Sequence, residues 1–196
     1  MFGLPVHTEV GTQLPKKSIY AKFAMNSSEK DKFDADISRI VIANAVGSQH
    51  LPEGEKVKSF YVLAVQLKHK EYDPKNIVSL VKLINQNILL ALTYESEVQL
   101  AVYCTRLVTS NWQSTEEVSI PLNGLNLDAV WDNIVASIGD IMITDGKSVA
   151  EQIVEDDAHA KLMKQIEQLE QKARTEKQPR KKLELFEKLK ELKKRL

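Results

Sequence analysis

The sequence has few of the residues and motifs that mark common catalytic sites. Cys104 is the only cysteine among 196 residues, so neither an internal disulfide nor a cysteine-rich metal site can form. The four histidines are scattered without H-x-x-x-H spacing, which argues against a histidine-based metal site. The phosphate-binding glycine loop, G-x-S-x-G and H-E-x-x-H are all missing. We therefore expect no metal and no cofactor.

Long hydrophobic runs are missing too. The longest, Phe60 to Val65, is far shorter than the roughly 20 residues that cross a bilayer. The first ten residues lack the basic stretch and long apolar segment of a secretory signal. We expect a cytoplasmic protein that makes no membrane contact.

The charges are unevenly distributed, although the net charge is zero. Residues 161–196 hold 13 Lys and Arg against 6 Asp and Glu, a net charge of +7, which leaves −7 on residues 1–160. This basic segment favours an acidic partner: nucleic acid, another protein or the rest of this chain. A merely solvated basic helix surface would give the same count.

The hydrophobic pattern of residues 1–146 predicts an α+β domain, a mixed α/β sandwich. Phe60 to Leu67 is apolar on both faces, as in a central strand, and Asp73-Pro74 then begins a helix. Residues 1–25 are expected to be extended. Further strands are predicted from Ile40, at Ile88–Tyr94, Val98–Thr109 and Val118–Leu122, and further helices from Ser27 or Ser28 to Asp36 and after Asn126.

Residues 147–196 carry a mirror pattern centred on Pro179. Both sides have the 4-3-4 apolar spacing of a coiled-coil seam. A proline inside one continuous helix would cost about 3 kcal/mol. We therefore predict an antiparallel helical hairpin folded at Pro179. Its interaction seam pairs Leu162 with Leu196, Ile166 with Leu192, Leu169 with Leu189, and Ala173 with Leu185.

Short motifs along the whole chain give a family resemblance. They are Met1-Phe2-Gly3-Leu4-Pro5, Leu14-Pro15-Lys16, the segment Lys32-Phe33 to Ile40, Leu67-Lys68, Glu176-Lys177-Gln178 and Lys182-Leu183-Glu184-Leu185. The chain resembles an uncharacterised bacterial family of about this length, encoded near restriction and phage-defence helicases and DNA methyltransferases. The resemblance implies an accessory role in such a complex and supplies no catalytic residues.

Gln66-Leu67-Lys68 is the one catalytic candidate. Its place at a strand end is similar to the acid-x-Lys element of restriction-endonuclease-like folds, where Gln sometimes replaces the acid. There, carboxylates hold the metal that activates water and Lys stabilises the phosphate charge. No acid precedes Gln66 at the expected place. The nearest acids fall in a loop or on an earlier helix: Glu53, Glu55, Asp31, Asp34 and Asp36.

Basic residues gather at the predicted turn of the hairpin. Such a cluster could contact nucleic-acid phosphates, although no aromatic residue is interleaved for base stacking. A solvated helical turn is the competing interpretation. These residues, the basic tip, are Arg174, Lys177, Arg180, Lys181 and Lys182.

Together these features predict a non-catalytic adaptor. Its hairpin would bind a larger protein machine such as a helicase or a DNA methyltransferase. A divergent or degenerate metal-dependent nuclease that uses Gln66 and Lys68 is the first alternative. Direct nucleic-acid binding by the basic tip is the second, and a homo-oligomer stays open.

Overall fold

The computed structural model describes residues 2–83, 86–142 and 148–194. The chain folds as two units, Met1–Ile143 and Thr144–Leu196. The predicted domain boundary between residues 146 and 147 lies outside the described residues.

One mixed sheet forms the centre of the first unit. Within the described residues the strands neighbour one another in the order β1-β2-β3-β4-β5-β6, and β7 also pairs with β5. The β3–β4 pair is parallel and the other pairs are antiparallel. The strands are β1 Glu9–Gln13, β2 Ile37–Gly47, β3 Ser59–Leu67, β4 Asn87–Tyr94, β5 Glu97–Tyr103, β6 Leu107–Thr109 and β7 Gln113–Ser114.

The predicted central strand is confirmed. Strand β3 pairs on both sides, with Val65 opposite Ile40 of β2 and Leu92 of β4. The parallel β3–β4 pair requires a crossover, which contains helix α3, Pro74–Leu83. The Asp73 carboxylate accepts a hydrogen bond from the Lys75 N–H at 2.9 Å and so caps this helix as predicted.

Helices lie on both faces of the sheet, so the mixed α/β architecture is confirmed. Helices α1, Lys16–Lys22, and α2, Ser27–Asp36, share one core cluster with α3 and the odd-numbered residues of β3. Even-numbered residues of a strand face the other way. On that face, the ring of Phe60 lies 5.5 Å from Trp131 of helix α4, Leu127–Gly139. Asn126 caps α4 as predicted, because its side chain accepts the Ala129 N–H.

The prediction that residues 1–25 are extended is confirmed for strand β1 and wrong for the two helical elements beside it. They form a 3₁₀ turn at Val6–Thr8, strand β1 and helix α1. Helix α1 has seven residues and buries only Ile19, which is too little to produce a visible helical period. The predicted cap of α2 is also displaced: Asn26 forms the capping box with Glu29.

The strand predicted across Val98–Thr109 is two strands. β5 and β6 form an antiparallel pair, and Cys104 lies in the turn between them, where its N–H donates to the Arg106 carbonyl at 3.1 Å. Cys104 is half-buried rather than packed inside a strand. Burial, and the nearby Asp132 carboxylate, raise the pKa of its thiol.

The strand predicted at Val118–Leu122 is also absent from the described residues. Val118 and Ile120 are buried as the alternation required. However, these residues do not pair with a strand of the sheet. The Ile120 N–H instead donates to the Phe2 carbonyl at 2.9 Å. Alternating burial here reflects a segment crossing the core, not strand pairing.

The loop before β3 is fastened by a carboxylate on α4. Asp128 accepts backbone N–H bonds from Glu55 and Val57, each at 2.7 Å, and from Lys56 at 3.1 Å. Burial raises the pKa of the Asp128 carboxyl, but these three bonds and the Lys56 charge outweigh it, so the pKa lies below its usual value. A Cβ on Gly54 would lie 2.1 Å from the Asp128 Oδ1, so the close approach needs glycine.

Two long helices make up the described part of the second unit. Helix α5, Val149–Thr175, begins with a capping box between Ser148 and Glu151. Helix α6, Pro179–Lys193, begins with proline in its first turn, where no intrahelical N–H bond is lost. Glu176 and Gln178 between them are extended.

Candidate functional site

The apolar residues of the predicted seam lie on the least exposed face of α5 and α6. The two helices contact each other. Ile166, Ala173 and Leu189 are buried. Leu162, Leu169, Leu185 and Leu192 are half-buried, and Leu196 lies outside the described residues.

An ion pair joins the two helices beside this face. The Lys193 ammonium lies 2.7 Å from a carboxylate oxygen of Glu170. The hydrogen bond from Lys193, its charge and the charge of Arg174 lower the pKa of the Glu170 carboxyl. These charges therefore favour the ionised form of the Glu170 carboxyl beside Lys193.

A concave, lysine-lined surface runs along one side of the second unit. We call it the lysine groove. It has a volume of about 630 Å³ and carries four lysines: one on α5, one in the turn between the helices and two on α6. Its lining residues are Lys172, Thr175, Glu176, Lys177, Gln178, Lys181, Glu184, Leu185 and Lys188. Four ammonium groups against two carboxylates make it a net cationic concavity.

The basic tip contributes only in part to the lysine groove. Lys177 and Lys181 line it, whereas Arg174, Arg180 and Lys182 do not. Arg180 instead pairs with Glu184 at 3.7 Å, with its side chain 94% exposed. Lys172 and Lys188 were not predicted. The spacing of 181, 184, 185 and 188 along one helical face could have found Lys188.

Helix α6 also exposes two large apolar side chains. Leu183 is 62% exposed and Phe186 is 49% exposed. Residues three apart share one side of a helix, so the two side chains are neighbours. Neither lines the lysine groove. Helix α6 therefore has a buried apolar face, a basic face and an exposed apolar pair.

Gln66 and Lys68 lie in different surroundings. Gln66 lines a groove on the sheet face that α4 partly covers, together with Arg39, Thr93 and Glu95. Lys68 follows the end of β3, where its N–H donates to the Asp36 carbonyl at 2.8 Å. The positive charge of Lys68 acts on Asp34, at the end of α2.

Acids lie closer to Lys68 than the sequence suggested. Helix α2 leads directly into β2, and Ile37 at the start of β2 pairs with Leu67 at the end of β3. Asp34 and Asp36 therefore come near the end of β3 by antiparallel pairing, although they precede it by some 30 residues. Sequence reasoning missed this because it placed helix α2 too early in the chain to matter.

Both carboxylates are engaged with other groups. Asp34 accepts hydrogen bonds from the Lys16 ammonium at 2.6 Å and the Tyr20 hydroxyl at 2.5 Å. Burial raises the pKa of Asp34, but those bonds and the charges of Lys16 and Lys68 lower it below its usual value. Burial and the bond to Asp34 raise the pKa of Tyr20.

Asp36 is tied to the loop that precedes α3. Its Oδ2 accepts the Asp73 N–H at 2.9 Å and the Asn76 side-chain amide at 2.7 Å. Its Oδ1 lies 3.6 Å from the Nε2 of His69. In the described residues, no group of three His, Cys, Asp or Glu side chains is arranged to hold a metal ion. Nor does any described helix combine the length and apolar character needed to cross a bilayer.

Comparison with known proteins identifies a family. Neither the curated proteins nor the solved structures contain a match to this chain. A family model described as "Domain of unknown function (DUF4391)" matches residues 2–196, which is nearly the whole chain. The chain therefore belongs to this DUF4391 family.

Proposed function

We propose that this protein is a non-catalytic adaptor that binds a larger protein machine through its two C-terminal helices. The observation that carries the proposal is the exposed pair Leu183 and Phe186 on α6. Large apolar and aromatic side chains at the centre of an interface supply most of its binding energy. Basic residues surround this pair in the sequence, so the partner surface would offer an apolar pocket with an acidic rim.

The form of the binding element in this proposal is an antiparallel hairpin folded at Pro179. Its support is the short connection between α5 and α6, their mutual contact and the Glu170–Lys193 pair. Each helix alone would leave its apolar face in water, and pairing covers both faces at once.

Disulfide cross-linking tests the hairpin and its register. In a Cys104→Ser background, Leu169→Cys with Leu189→Cys should form an intramolecular disulfide under mild oxidation. Leu169→Cys with Leu183→Cys is the matched control, because Leu183 is exposed and should stay reduced. Equal cross-linking in both double variants, or in neither, would contradict the proposed pairing.

The partner in this proposal is a component of a bacterial DNA-processing or phage-defence complex, such as a helicase or a DNA methyltransferase. That context rests on the resemblance of the sequence motifs, and the chemistry of the partner surface rests on the charge of residues 161–196, a net of +7. A basic segment of this size also accelerates association with an acidic surface at low salt.

Co-purification with the proteins encoded beside its gene tests the adaptor. The tagged wild-type chain should retain a stoichiometric partner. The double variant Leu183→Ala, Phe186→Ala should lose it while keeping its far-ultraviolet circular dichroism. Leu125→Ala is the control, because Leu125 is 92% exposed on the first unit. Retention of the partner by the double variant would remove this face from the function.

Direct nucleic-acid binding is a second candidate, favoured by the lysine groove. Four lysines on one concave surface can approach several backbone phosphates together. Lys177→Glu with Lys181→Glu should then weaken retention of a duplex and lower the slope of log K against log salt by about 1.8, for two lost phosphate contacts.

A charge-matched control separates this specific binding from general basicity. Lys164 and Lys190 are exposed and do not line the groove. Their double change to Glu alters net charge by the same amount. If both double variants bind alike, the groove is not the nucleic-acid site.

A further inference from the structure

The first unit contains a groove of about 390 Å³ that the adaptor proposal does not use. We call it the Arg39 groove. Ala64 and Gln66 of β3 point into it, while Leu63, Val65 and Leu67 point into the core beneath α1, α2 and α3. Its size falls in the range of small-molecule sites. Its lining residues are Phe2, Arg39, Val41, Ala64, Gln66, Thr93, Glu95 and Thr115.

The sheet register sets the polar residues in a row. Arg39 of β2 is opposite Gln66 of β3, and Gln66 is opposite Thr93 of β4. Adjacent strands are about 4.8 Å apart, so this row spans about 10 Å between the backbones of Arg39 and Thr93. Val41 and Ala64 form the next rung and give the groove an apolar floor. An apolar floor below a few convergent polar groups is typical of a ligand site.

Three polar side chains that line the groove are free to bind a ligand: two from this row and Glu95 beside it. Among the described residues, the side chains of Arg39, Gln66 and Glu95 make no hydrogen bond or ion pair. The guanidinium offers five N–H donors in a planar fork that fits a carboxylate. Glu95 offers only acceptors. The groove therefore presents one cationic and one anionic end to whatever enters it.

Two of its walls hold a left-handed backbone. Phe2 has φ 56° and Glu95 has φ 51°, and they are two of the four described residues other than glycine with positive φ. This conformation is disfavoured for residues with a Cβ. At Glu95 it belongs to the two-residue turn that joins β4 to β5, since Tyr94 pairs with Glu97, and this turn fixes the position of Glu95 beside the groove. Hydrogen bonds fix the backbone at both places. The Ile120 N–H donates to the Phe2 carbonyl, and Thr115 donates its N–H and its hydroxyl to the carbonyl of Ser96, next to Glu95, at 2.9 and 3.0 Å.

We propose that the Arg39 groove binds a small zwitterionic molecule, with its carboxylate at Arg39 and its ammonium at Glu95. Gln66 and Thr93 lie between the two ends and supply further hydrogen bonds. The apolar floor of Val41 and Ala64 accepts the methylene chain that joins the charged groups. Arg39 lies about 10 Å from Thr93 across two strand spacings, and Glu95 lies two residues beyond Thr93, so the backbones of the two charged residues are more than about 10 Å apart. Their side chains form no ion pair in the described structure, so an ω-amino acid, with its charged groups well separated, fits better than an α-amino acid.

Three probes of equal chain length test the proposal: 6-aminohexanoate, adipate and 1,6-diaminohexane. Amide chemical-shift perturbation on the full chain gives both affinity and location. The zwitterion should bind most tightly and shift Gln66, Thr93 and their neighbours. Absence of saturable binding by all three probes at millimolar concentrations overturns the proposal, as does preference for the diamine.

Two variants then assign the ends of the ligand. Arg39→Gln should lower the affinity for 6-aminohexanoate by at least about tenfold, which is the loss expected when charge-assisted hydrogen bonds are removed. Glu95→Gln should reverse the preference, so that adipate binds better than 6-aminohexanoate. Lys17→Gln is the charge-matched control, because Lys17 is exposed on α1, and this variant should bind the probe like wild type. If Lys17→Gln weakens binding as much as Arg39→Gln, the probe is attracted by the overall charge and does not bind at the Arg39 groove.

Discussion

Helices α4 and α5, one from each unit, differ in the fraction of their residues that is buried. Helix α4 has 13 residues and buries six of them, among them Trp131 and Ile134. Helix α5 has 27 residues and buries four: Val149, Ile153, Ile166 and Ala173. The first helix depends on tertiary packing, as most helices in proteins do. The second leaves most of its surface for solvent or partners and depends more on local features such as its capping box.

The polar interactions differ in the same way. In the first unit, carboxylates fasten one segment to another distant in sequence, as Asp128 does with the loop at Glu55 to Val57. In the second unit two carboxylates pair with exposed cations, Glu170 with Lys193 and Glu184 with Arg180. Exposed pairs contribute little to stability and are weakened by salt. We therefore expect substitutions in the core of the first unit to change mainly stability, and substitutions on the exposed faces of the second unit to change mainly the proposed partner binding.

The largest effect is expected in the core of the first unit. Phe60 is fully buried against Trp131. Phe60→Ala should lower the free energy of unfolding by about 3–5 kcal/mol, because it removes buried apolar surface and leaves a cavity. Chemical denaturation followed by tryptophan fluorescence measures this. Leu125→Ala is the exposed control, and a loss of equal size there would contradict the core assignment.

A smaller effect is expected at the helix pair of the second unit. Leu189 is 7% exposed, whereas Leu183 on the same helix is 62% exposed. Leu189→Ala should cost about 2 kcal/mol, at the low end for a buried leucine because solvent lies close by. Leu183→Ala should leave helix content unchanged. Thermal melting at 222 nm compares the two variants, and equal stability would show that this face of α6 is not packed.

The sequence predicted the core of the first unit better than its edges. The apolar run at Phe60–Leu67 and the caps at Asp73 and Asn126 are confirmed because each reflects a local rule with a strong signal. Helix α1 was missed because one buried residue, Ile19, gives no period. Val118 and Ile120 were misassigned because alternate burial does not require a strand partner.

The candidate sites divide along similar lines. The sequence could predict that Lys177 and Lys181 lie together, because residues close to one turn of the chain are also close in space. Arg39 and Glu95 could not be predicted, because they line one groove only through the register of β2, β3 and β4 and the turn at Glu95. The approach of Asp34 to Lys68 was hidden for the same reason, since it follows from antiparallel pairing.

The loop held by Asp128 gives a third, smaller effect. A Cβ on Gly54 would lie 2.1 Å from the Asp128 Oδ1 and 2.7 Å from the Asp128 backbone nitrogen. Gly54→Ala should therefore destabilise the first unit by about 1–2 kcal/mol through overpacking. Gly47→Ala is the control, since its nearest neighbour would be 3.6 Å away. Urea unfolding distinguishes them, and equal midpoints would mean that the loop moves away freely.

The smallest effects concern acid pH and contrast the two kinds of ion pair. The pKa values of Asp34 and Glu170 are both lowered in the folded chain. Any stability that such a pair contributes is therefore present above the unfolded-state pKa of about 4, and it is lost as pH falls further through the folded-state value. Asp34→Asn should lower the melting temperature at pH 7 and make it decline less steeply between about pH 4 and 2.

Glu170→Gln should change neither the melting temperature at pH 7 nor its decline in acid measurably in physiological salt, because solvent and salt screen the pair of Glu170 with Lys193. Melting temperatures across that pH range, at low and high salt, measure both. A larger effect for Glu170→Gln than for Asp34→Asn would mean that the second unit depends on its ion pairs more than on the apolar face of α5 and α6.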